Sequence, residues 1–441
     1  MADIRIDWKE TIGVIKPMHA VNNGVAQGRM NNFEDYRKAG FPYMRNHDAS
    51  YCEEYGSEHC VDISAVFPDF DADPRDPASY EFTETDAYLG RNIEAGTKIF
   101  YRLGQRIEHT VKKYNVNPPK DFQKWAVVCE HIIRHYNEGW ADGFRFNIEY
   151  WEIWNEPDGI AADGSQPNWS GTSEEYYDLY KVAATHLKKR FPHLKIGGPS
   201  MSSLHNRNGA WIRNFLASLT EDGKRVPLDF FSWHAYMVDP QVIVTMEKYL
   251  RDRLDEAGYT EAESILNEYN YVEGWTDLFI SSIEAIIGMR GAAFTSASMA
   301  GGQASTLDML MYYDARPCAF CGMFDFYTYR PLKGYYPFVM YSQLYQLGTY
   351  VECASEDEDL YVTAASGEDG YGIMLTHYRK DKEKAEKTAG LHIAGVPDGI
   401  WQAEILDRDR TMEKRSVTME NGVLELQMPE DCVILLTRGR E

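Results

Sequence analysis

The chain has 441 residues, room for an eight-stranded barrel of roughly 250 to 330 residues plus an appended module, and its 44% hydrophobic and 13% aromatic content is that of a globular protein. Forty-five basic residues against 68 acidic ones give a formal charge of −23, which repels nucleic acid and anionic membranes and mildly disfavours a polyanionic substrate. No apolar run nears the ~20 residues that cross a bilayer, Met1 to Arg5 lacks a basic-then-apolar leader, and seven cysteines without repeated spacing read as reduced thiols, so the expectation is a cytoplasmic protein without nucleic-acid or membrane partners.

Residues 3 to 10 alternate like an edge strand, and Thr11 to Pro17 is expected to be the first barrel strand, stopped by Pro17. Asn31 to Gly40 has the spacing of a short amphipathic helix. Pro42 to Asp48 reads as the second strand, whose polar end aims Arg45 and His47 at the face where barrel active sites sit. Asp69, Asp71, Asp73 and Asp76 crowd one loop but lack the glycine and terminal glutamate of an EF-hand, so a solvated loop is expected. Thr83 to Glu94 is the second helix, Lys98 to Gly104 the third strand with Arg102 near its end, and Phe122 to Tyr136, after Pro119, the third helix.

The fourth strand carries the most information. Tyr150-Trp151-Glu152-Ile153-Trp154 is apolar and aromatic apart from Glu152, as a strand buried in a parallel sheet is. Pro157 cannot join a ladder, so Asn155 and Glu156 emerge at the strand's C-terminal edge. In the loop that follows, Trp169 fits a ligand-stacking wall and a loop anchor equally well. Thr172 to Arg190 is helical, His193 to Pro199 is strand five, and Asn208 to Leu219 a helix. Leu228 to Tyr236 is strand six, delivering His234 and Tyr236. After a helix from Pro240 to Gly258, Ser264 to Tyr271 forms strand seven and delivers Glu268. Asp277 to Gly301 is helical, and Ala319 to Tyr327 is expected to be strand eight, ending near Asp325, Tyr327 and Arg330.

Eight β-then-α units predict an α/β fold, a (β/α)8 TIM barrel over residues 12–350. From Leu360 the texture changes to short alternating segments between charged or glycine turns. This predicts an antiparallel β-sandwich over 351–441, which the strand 3–10 is free to join, with Lys380 to Lys387 as a hairpin loop. Cys318-Ala-Phe-Cys321 has no second pair, so neither metal nor redox chemistry is expected of it.

Two glutamates on the ends of two barrel strands are what glycosidic cleavage needs: one donates a proton to the leaving oxygen, the other stabilises or attacks the anomeric carbon. Trp154-Asn155-Glu156-Pro157 with a distant strand-end glutamate resembles the retaining glycosidases of clan A. Asn117 to Trp125, Ile196-Gly197-Gly198-Pro199, Trp233-His234-Ala235-Tyr236 and Asn267-Glu268-Tyr269-Asn270 resemble glycoside hydrolase family 39, a family of β-xylosidases and α-L-iduronidases. The resemblance, over about residues 12–330, implies Glu268 as nucleophile and Glu156 as acid/base, with Asn155 on the sugar 2-hydroxyl. It also implies that His47 contacts the sugar and that His234 and Tyr236 surround the nucleophile. The chain departs from the family at three places: Asn46 replaces the glycine of Arg-Gly-His, Arg102 stands where an acid is common, and Met323 and Phe324 stand where a tryptophan is frequent. The expected substrate is a neutral β-linked glycan, with no metal and no cofactor. β-Xylosidase leads, while α-L-iduronidase (for which Arg45, Arg102 and Arg330 are candidate carboxylate binders), α-L-arabinofuranosidase and endo action stay open, as does a homo-oligomer. A non-catalytic carbohydrate-binding barrel is the rival from another class.

Overall fold

The computed structural model describes residues 2–26, 31–48, 50–52, 56–108, 110–161, 164–381 and 388–440. Eight parallel strands close into a barrel in chain order: Ala20–Asn22, Tyr43–Arg45, Lys98–Leu103, Tyr150–Ile153, Lys195–Met201, Phe230–Met237, Glu263–Tyr271 and Met309–Tyr312. The eighth pairs with the first, Met311 opposite Ala20. Helices pack outside, and their starts follow from local chemistry. The Asp121 side chain accepts from Lys124 N at the head of Phe122–Asn137. Thr172 and Glu175 form a capping box at the head of Ser173–Arg190, whose acidic first turn and basic last turn complement the helix dipole.

Two expected strands fall elsewhere. Thr11 to Val14 is not the first barrel strand: it continues Ala2–Val14, which pairs with Thr349–Ser355 in the second sheet. The true first strand, Ala20–Asn22, has three residues, too few for a period to show. Ala319 to Tyr327 is not the eighth strand either. That strand is Met309–Tyr312, and the later segment is a turn-rich excursion with one bridge, Phe324 to Pro331. Cys321, Met323 and Phe324 in this segment are buried without belonging to a sheet.

The second unit is one nine-stranded sheet running Glu413–Met419, Gly399–Leu406, Cys432–Gly439, Gly370–His377, Leu360–Gly367, Thr349–Ser355, Ala2–Val14, Ala389–Ala394, Val423–Met428. Its edge strands are neighbours in the chain, so the sheet curls nearly closed around a core that includes Ile4, Ile6, Val351, Ile373 and Trp401. The N-terminal strand lies inside this sheet, and its pairing with Ala389–Ala394 is parallel, so the sheet is mixed rather than purely antiparallel. The central part of the charged run Lys380 to Lys387, read as a hairpin loop, lies outside the described residues. Lys333 Nζ ties the two units together by donating to the carbonyls of Asp407 and Arg410 at 2.7 and 2.8 Å.

Within the barrel, the period of two in each strand sorts residues into layers. Tyr43, Phe100, Tyr150, Phe230, Ile265 and Met309 form a buried apolar cluster with Ala20 and Met311. Two residues further along the same strands stand Arg45, Arg102, Glu152, Ser232 and Asn267, all buried and polar. The candidate site rests on this second layer.

Candidate active site

At the end of strand four the backbone takes conformations that L-residues rarely adopt: φ is +77° at Trp154 and +46° at Glu156. Such positions cost about 1–3 kcal/mol each and persist only where the surroundings over-determine them. Here they do. Trp154 N–H donates to Leu103 O and its indole N–H to Asn168 O, both at 2.7 Å, and Glu156 N–H donates to Ser200 O at 2.9 Å. The turn sends the Glu156 carboxylate back over the barrel mouth.

Glu268 arrives by a different device. In strand seven the register against strand six slips between Leu266 and Glu268, making Asn267 a bulge residue. A bulge lets two consecutive side chains face one side: Asn267 Nδ2 donates to Glu152 Oε1 at 2.6 Å while Glu268 meets Arg45. A second bulge lies at Ser200, where the pairing jumps from Pro199 to Met201 and φ is +60°.

Arg45 joins these pieces. All five of its N–H donors are used: to Glu152 Oε2 (2.7 Å), Asn22 Oδ1 (3.0 Å), Glu268 Oε1 (2.7 Å), Asn155 Oδ1 (2.6 Å) and Ser200 Oγ (2.9 Å). Burial pulls its pKa down, but the Glu152 and Glu268 carboxylates outweigh burial and leave it raised. The guanidinium thus stays charged and holds one oxygen of Glu268, while Tyr236 donates its hydroxyl to the other at 2.8 Å. Burial, reinforced by the Glu268 charge, raises the Tyr236 pKa, keeping that hydroxyl a donor. His47 stands with Nε2 3.4 Å from Glu268 Oε1 and Nδ1 3.0 Å from Asp48 Oδ1.

Glu156 has softer company. Asn168 Nδ2 donates to its Oε2 at 2.7 Å, and His234 Nδ1 lies 2.7 Å from its Oε1. Burial raises its pKa, and the opposing charges of His47 and Arg45 do not cancel that. Burial also lowers the His234 pKa to about 3, so the ring between the two glutamates is neutral. Its Nε2 meets Ser200 Oγ at 2.7 Å, and its Nδ1 is also 3.4 Å from Glu268 Oε2. One oxygen of Glu156, one of Glu268 and a His234 nitrogen lie within 4.8 Å of one another.

Glu156, Glu268, Asn155, His47, His234, Tyr236 and Arg45 therefore meet at one place. Arg45 is fully buried beneath the glutamates, so it positions carboxylates rather than facing a ligand. Asn155 Oδ1 is taken by Arg45, leaving its NH2 for a ligand. Trp169 is not a stacking surface: it is 1% exposed, packs edge-on against Trp154 and donates its indole N–H to Thr172 O, which makes it a loop anchor. Asp325 and Tyr327 stand apart on the surface excursion. The Asp325 carboxylate accepts from the N–H groups of Tyr327 and Thr328, and Tyr327 is 80% exposed. Arg102 is committed to Asp62 and His47 O, and Asp69, Asp73 and Asp76 cap turns of their own loop.

Sequence reasoning missed Ser200, Asn168, Asp48 and Trp275. Ser200 and Asn168 gave no periodic signal because one sits on a bulge and the other in a loop. Trp275 is 59% exposed yet lies 4.9 Å from the Tyr236 ring and 5.8 Å from Phe279, an aromatic platform beside Glu268. An exposed tryptophan shortly after the Glu268 strand was the available clue.

Among the described residues, two groups have metal-ligand atoms within reach of one another: Glu156, His234 and Glu268, and Asp314, Cys318 and Cys321. In the first, the buried Arg45 cation already neutralises Glu268, and each group has a hydrogen-bond partner in the network above.

A parallel barrel with paired glutamates at the C-terminal ends of strands four and seven is the architecture of the barrel glycosidases. The chain belongs to the glycosyl hydrolases family 39, whose family model matches residues 2–265. It is 30% identical over 254 residues to a β-xylosidase of Caldicellulosiruptor saccharolyticus, covering 54% of this chain and 46% of that protein. It is also 30% identical over 229 residues to a β-xylosidase of Geobacillus stearothermophilus, covering 49% and 40%. The matches thus span less than half the length of these relatives. Among solved structures, a glucosidase from Croceicoccus marinus superposes with a TM-score of 0.81 at 23% identity, covering 100% of this chain and 99% of that one. A monomeric β-xylosidase from Caulobacter crescentus superposes with a TM-score of 0.71 at 15% identity, covering 99% of each chain. These neighbours share the fold. The family match ends before Glu268, so the second glutamate rests on the geometry above. No helix among the described residues is long and apolar enough to cross a membrane.

Proposed function

We propose that the protein is a retaining glycosidase that cleaves β-linked neutral sugars, with a β-xyloside as the leading substrate. The observation that carries this is the pairing of Glu156 and Glu268, with an oxygen of each within 4.8 Å. That closeness is compatible with the ~5–5.5 Å between carboxyl groups in retaining enzymes and supports a retaining over an inverting mechanism, whose carboxyl groups stand ~6.5–9.5 Å apart. The β-xylosidase names of the family relatives support the sugar. Neutrality is supported by the arginines: Arg45 and Arg102 are buried and already paired, and Arg330 is exposed on the surface excursion, so none is positioned for a uronate carboxylate.

The roles follow from environment. Glu268, gripped by Arg45 and Tyr236, is oriented as the nucleophile that attacks the anomeric carbon. Glu156, with its raised pKa, keeps a proton for the leaving oxygen and later takes one from water. Neutral His234 serves both states. As one tautomer its Nδ1–H donates to ionised Glu156 and its Nε2 accepts from Ser200; as the other, Nδ1 accepts from protonated Glu156 and Nε2–H donates to Ser200 Oγ. The Asn155 NH2 is placed to bond the sugar 2-hydroxyl as charge develops, and Trp275 to stack on a sugar ring.

Azide rescue tests the assignment. On an aryl xyloside with a good leaving group, Glu156→Ala should give a burst and then stall, and azide should restore turnover with a glycosyl azide of retained configuration. Glu268→Ala should lose at least about 10⁴-fold of activity, and azide in the vacated space should give inverted product. Inverted product from the Glu156 variant, or near-normal turnover by Glu268→Ala without azide, would overturn the roles. If the unmodified protein binds xylo-oligosaccharides yet turns over no aryl glycoside, it is a binding barrel.

A further inference from the structure

The excursion after strand eight carries chemistry that glycoside cleavage does not use. Cys318 and Cys321 stand on a turn in which Cys321 N–H donates to Cys318 O at 3.1 Å, and their sulfurs are 2.7 Å apart. The two thiols are not equivalent: Cys318 is partly exposed, whereas Cys321 is buried. Cys321 Sγ donates to Asp314 Oδ1 at 2.9 Å. That carboxylate is itself fixed, accepting from Arg316 Nε and Nη2 at 2.9 and 2.7 Å and from Asn23 Nδ2 at 2.8 Å. An accessible thiol beside a buried one within bonding reach is the pairing of attacking and resolving thiols that thiol–disulfide exchange uses.

We propose that Cys318 and Cys321 are a reversible disulfide site that exchanges with a low-molecular-weight disulfide, Cys318 attacking and Cys321 resolving. In the first step the Cys318 thiolate attacks one sulfur of the external disulfide RSSR, forming Cys318–S–S–R and releasing RS⁻. In the second, Cys321 attacks the Cys318 sulfur while its proton passes by way of the Asp314 carboxylate to the expelled RS⁻, so that Asp314 ends the step ionised. The cysteines lose two electrons and two protons, and the external disulfide becomes two thiols. The neighbouring Cys321 sulfur lowers the Cys318 pKa, while burial raises that of Cys321, in line with these roles.

A metal ion fits the same atoms less well. Two thiolates on one tetrahedral zinc, with Zn–S of ~2.3 Å, stand about 3.8 Å apart, and both oxygens of Asp314 already accept from Arg316 or Asn23. The bond would also act on the cleft. Phe320 lies between the cysteines, and its ring is 6.3 Å from Tyr236, 6.2 Å from Tyr313 and 6.0 Å from Trp275. Closing the disulfide therefore pins the aromatic wall beside Glu268.

The test uses the full chain, reduced, desalted and incubated with glutathione disulfide, with masses read on the proteolytic peptide that contains both cysteines. The unmodified protein should lose two hydrogens there, carry no adduct, and return to the dithiol with dithiothreitol. Cys321→Ser should retain one glutathione on Cys318, because nothing resolves it, and Cys318→Ser should remain unmodified on Cys321. A stable glutathione adduct on the unmodified protein, equal labelling of both serine variants, or no reaction in either the unmodified protein or Cys321→Ser would overturn the proposal. So would stoichiometric zinc that blocks the reaction. Thermal melting checks that both variants are folded, and an internal disulfide in the unmodified protein decides the question even if one is not.

Discussion

At the N-terminal end of the barrel interior, Tyr43, Phe100, Tyr150, Phe230 and Ile265 close the bore with apolar side chains. Two residues along the same strands, Arg45, Arg102, Glu152, Ser232 and Asn267 fill it with charge, hydroxyl and amide. The backbone is the same and the energetics are opposite. The lower layer is stabilised by removing apolar surface from water, at about 25 cal/mol per Å². The upper layer gains little or nothing by being buried, because desolvating Arg45, Glu152 and Glu268 costs about as much as their mutual attraction returns. What it provides is a rigid frame in which Arg45 dictates where Glu268 and Asn155 point. The lower layer is thus a plug that supports stability, and the upper layer a scaffold for chemistry that the plug makes tolerable.

The sharpest way to break this contrast is Arg45→Met, which keeps volume and removes the cation. Glu152 and Glu268 are left buried without their partner, so the protein should lose about 3–5 kcal/mol in denaturant unfolding. Activity on an aryl xyloside should fall by at least about 10²-fold, since Glu268 loses the guanidinium that orients it. A stable, active Arg45→Met enzyme would mean that the upper layer is ordinary packing.

Phe230→Ala probes the plug. It should cost about 3–5 kcal/mol of stability, the usual range for a buried phenylalanine. Well below its midpoint, kcat/KM should stay within about two-fold of the unmodified enzyme, because the Glu268 and Glu156 contacts lie higher in the bore. A large loss of kcat in the folded variant would show that the layers are mechanically coupled.

The smallest effect belongs to the rim. Trp275→Ala should change unfolding free energy by less than about 0.5 kcal/mol, as exposed positions do. It should raise KM by about 3- to 10-fold with kcat nearly unchanged, which is the loss expected of one aromatic stacking contact of ~0.5–1.5 kcal/mol. An unchanged KM for aryl and oligosaccharide substrates alike would remove Trp275 from the cleft.

The parts of this design legible in the sequence are those where one strand states its own role. Tyr150-Trp151-Glu152-Ile153 declares a buried strand, Pro157 ends it, and Asn155 and Glu156 follow directly. Strand six carries Phe230, Ser232, His234 and Tyr236 at a strict period of two, so its delivery of His234 and Tyr236 could be read without a structure. Strand eight lies beyond the reach of local pattern. A segment as apolar as Ala319 to Tyr327 has the pattern of a strand, whose end would bring Asp325 and Tyr327 to the site, whereas the three- and four-residue strands Ala20–Asn22 and Met309–Tyr312 are too short to show a period.

By itself, then, the sequence determined the barrel, the two glutamates at strand ends and the change to a second sheet, because hydrophobic period and chain-breaking residues act over a few neighbours. Only the tertiary structure decided which charges meet. Arg45 reaches Glu152 and Glu268 from 107 and 223 residues away, and bulges at Asn267 and Ser200 turn side chains inward against the strand period. Trp169 is an anchor and Trp275 a platform for the same reason: identical indoles differ only in what closes over them, and that depends on contacts between distant parts of the chain that no local pattern encodes.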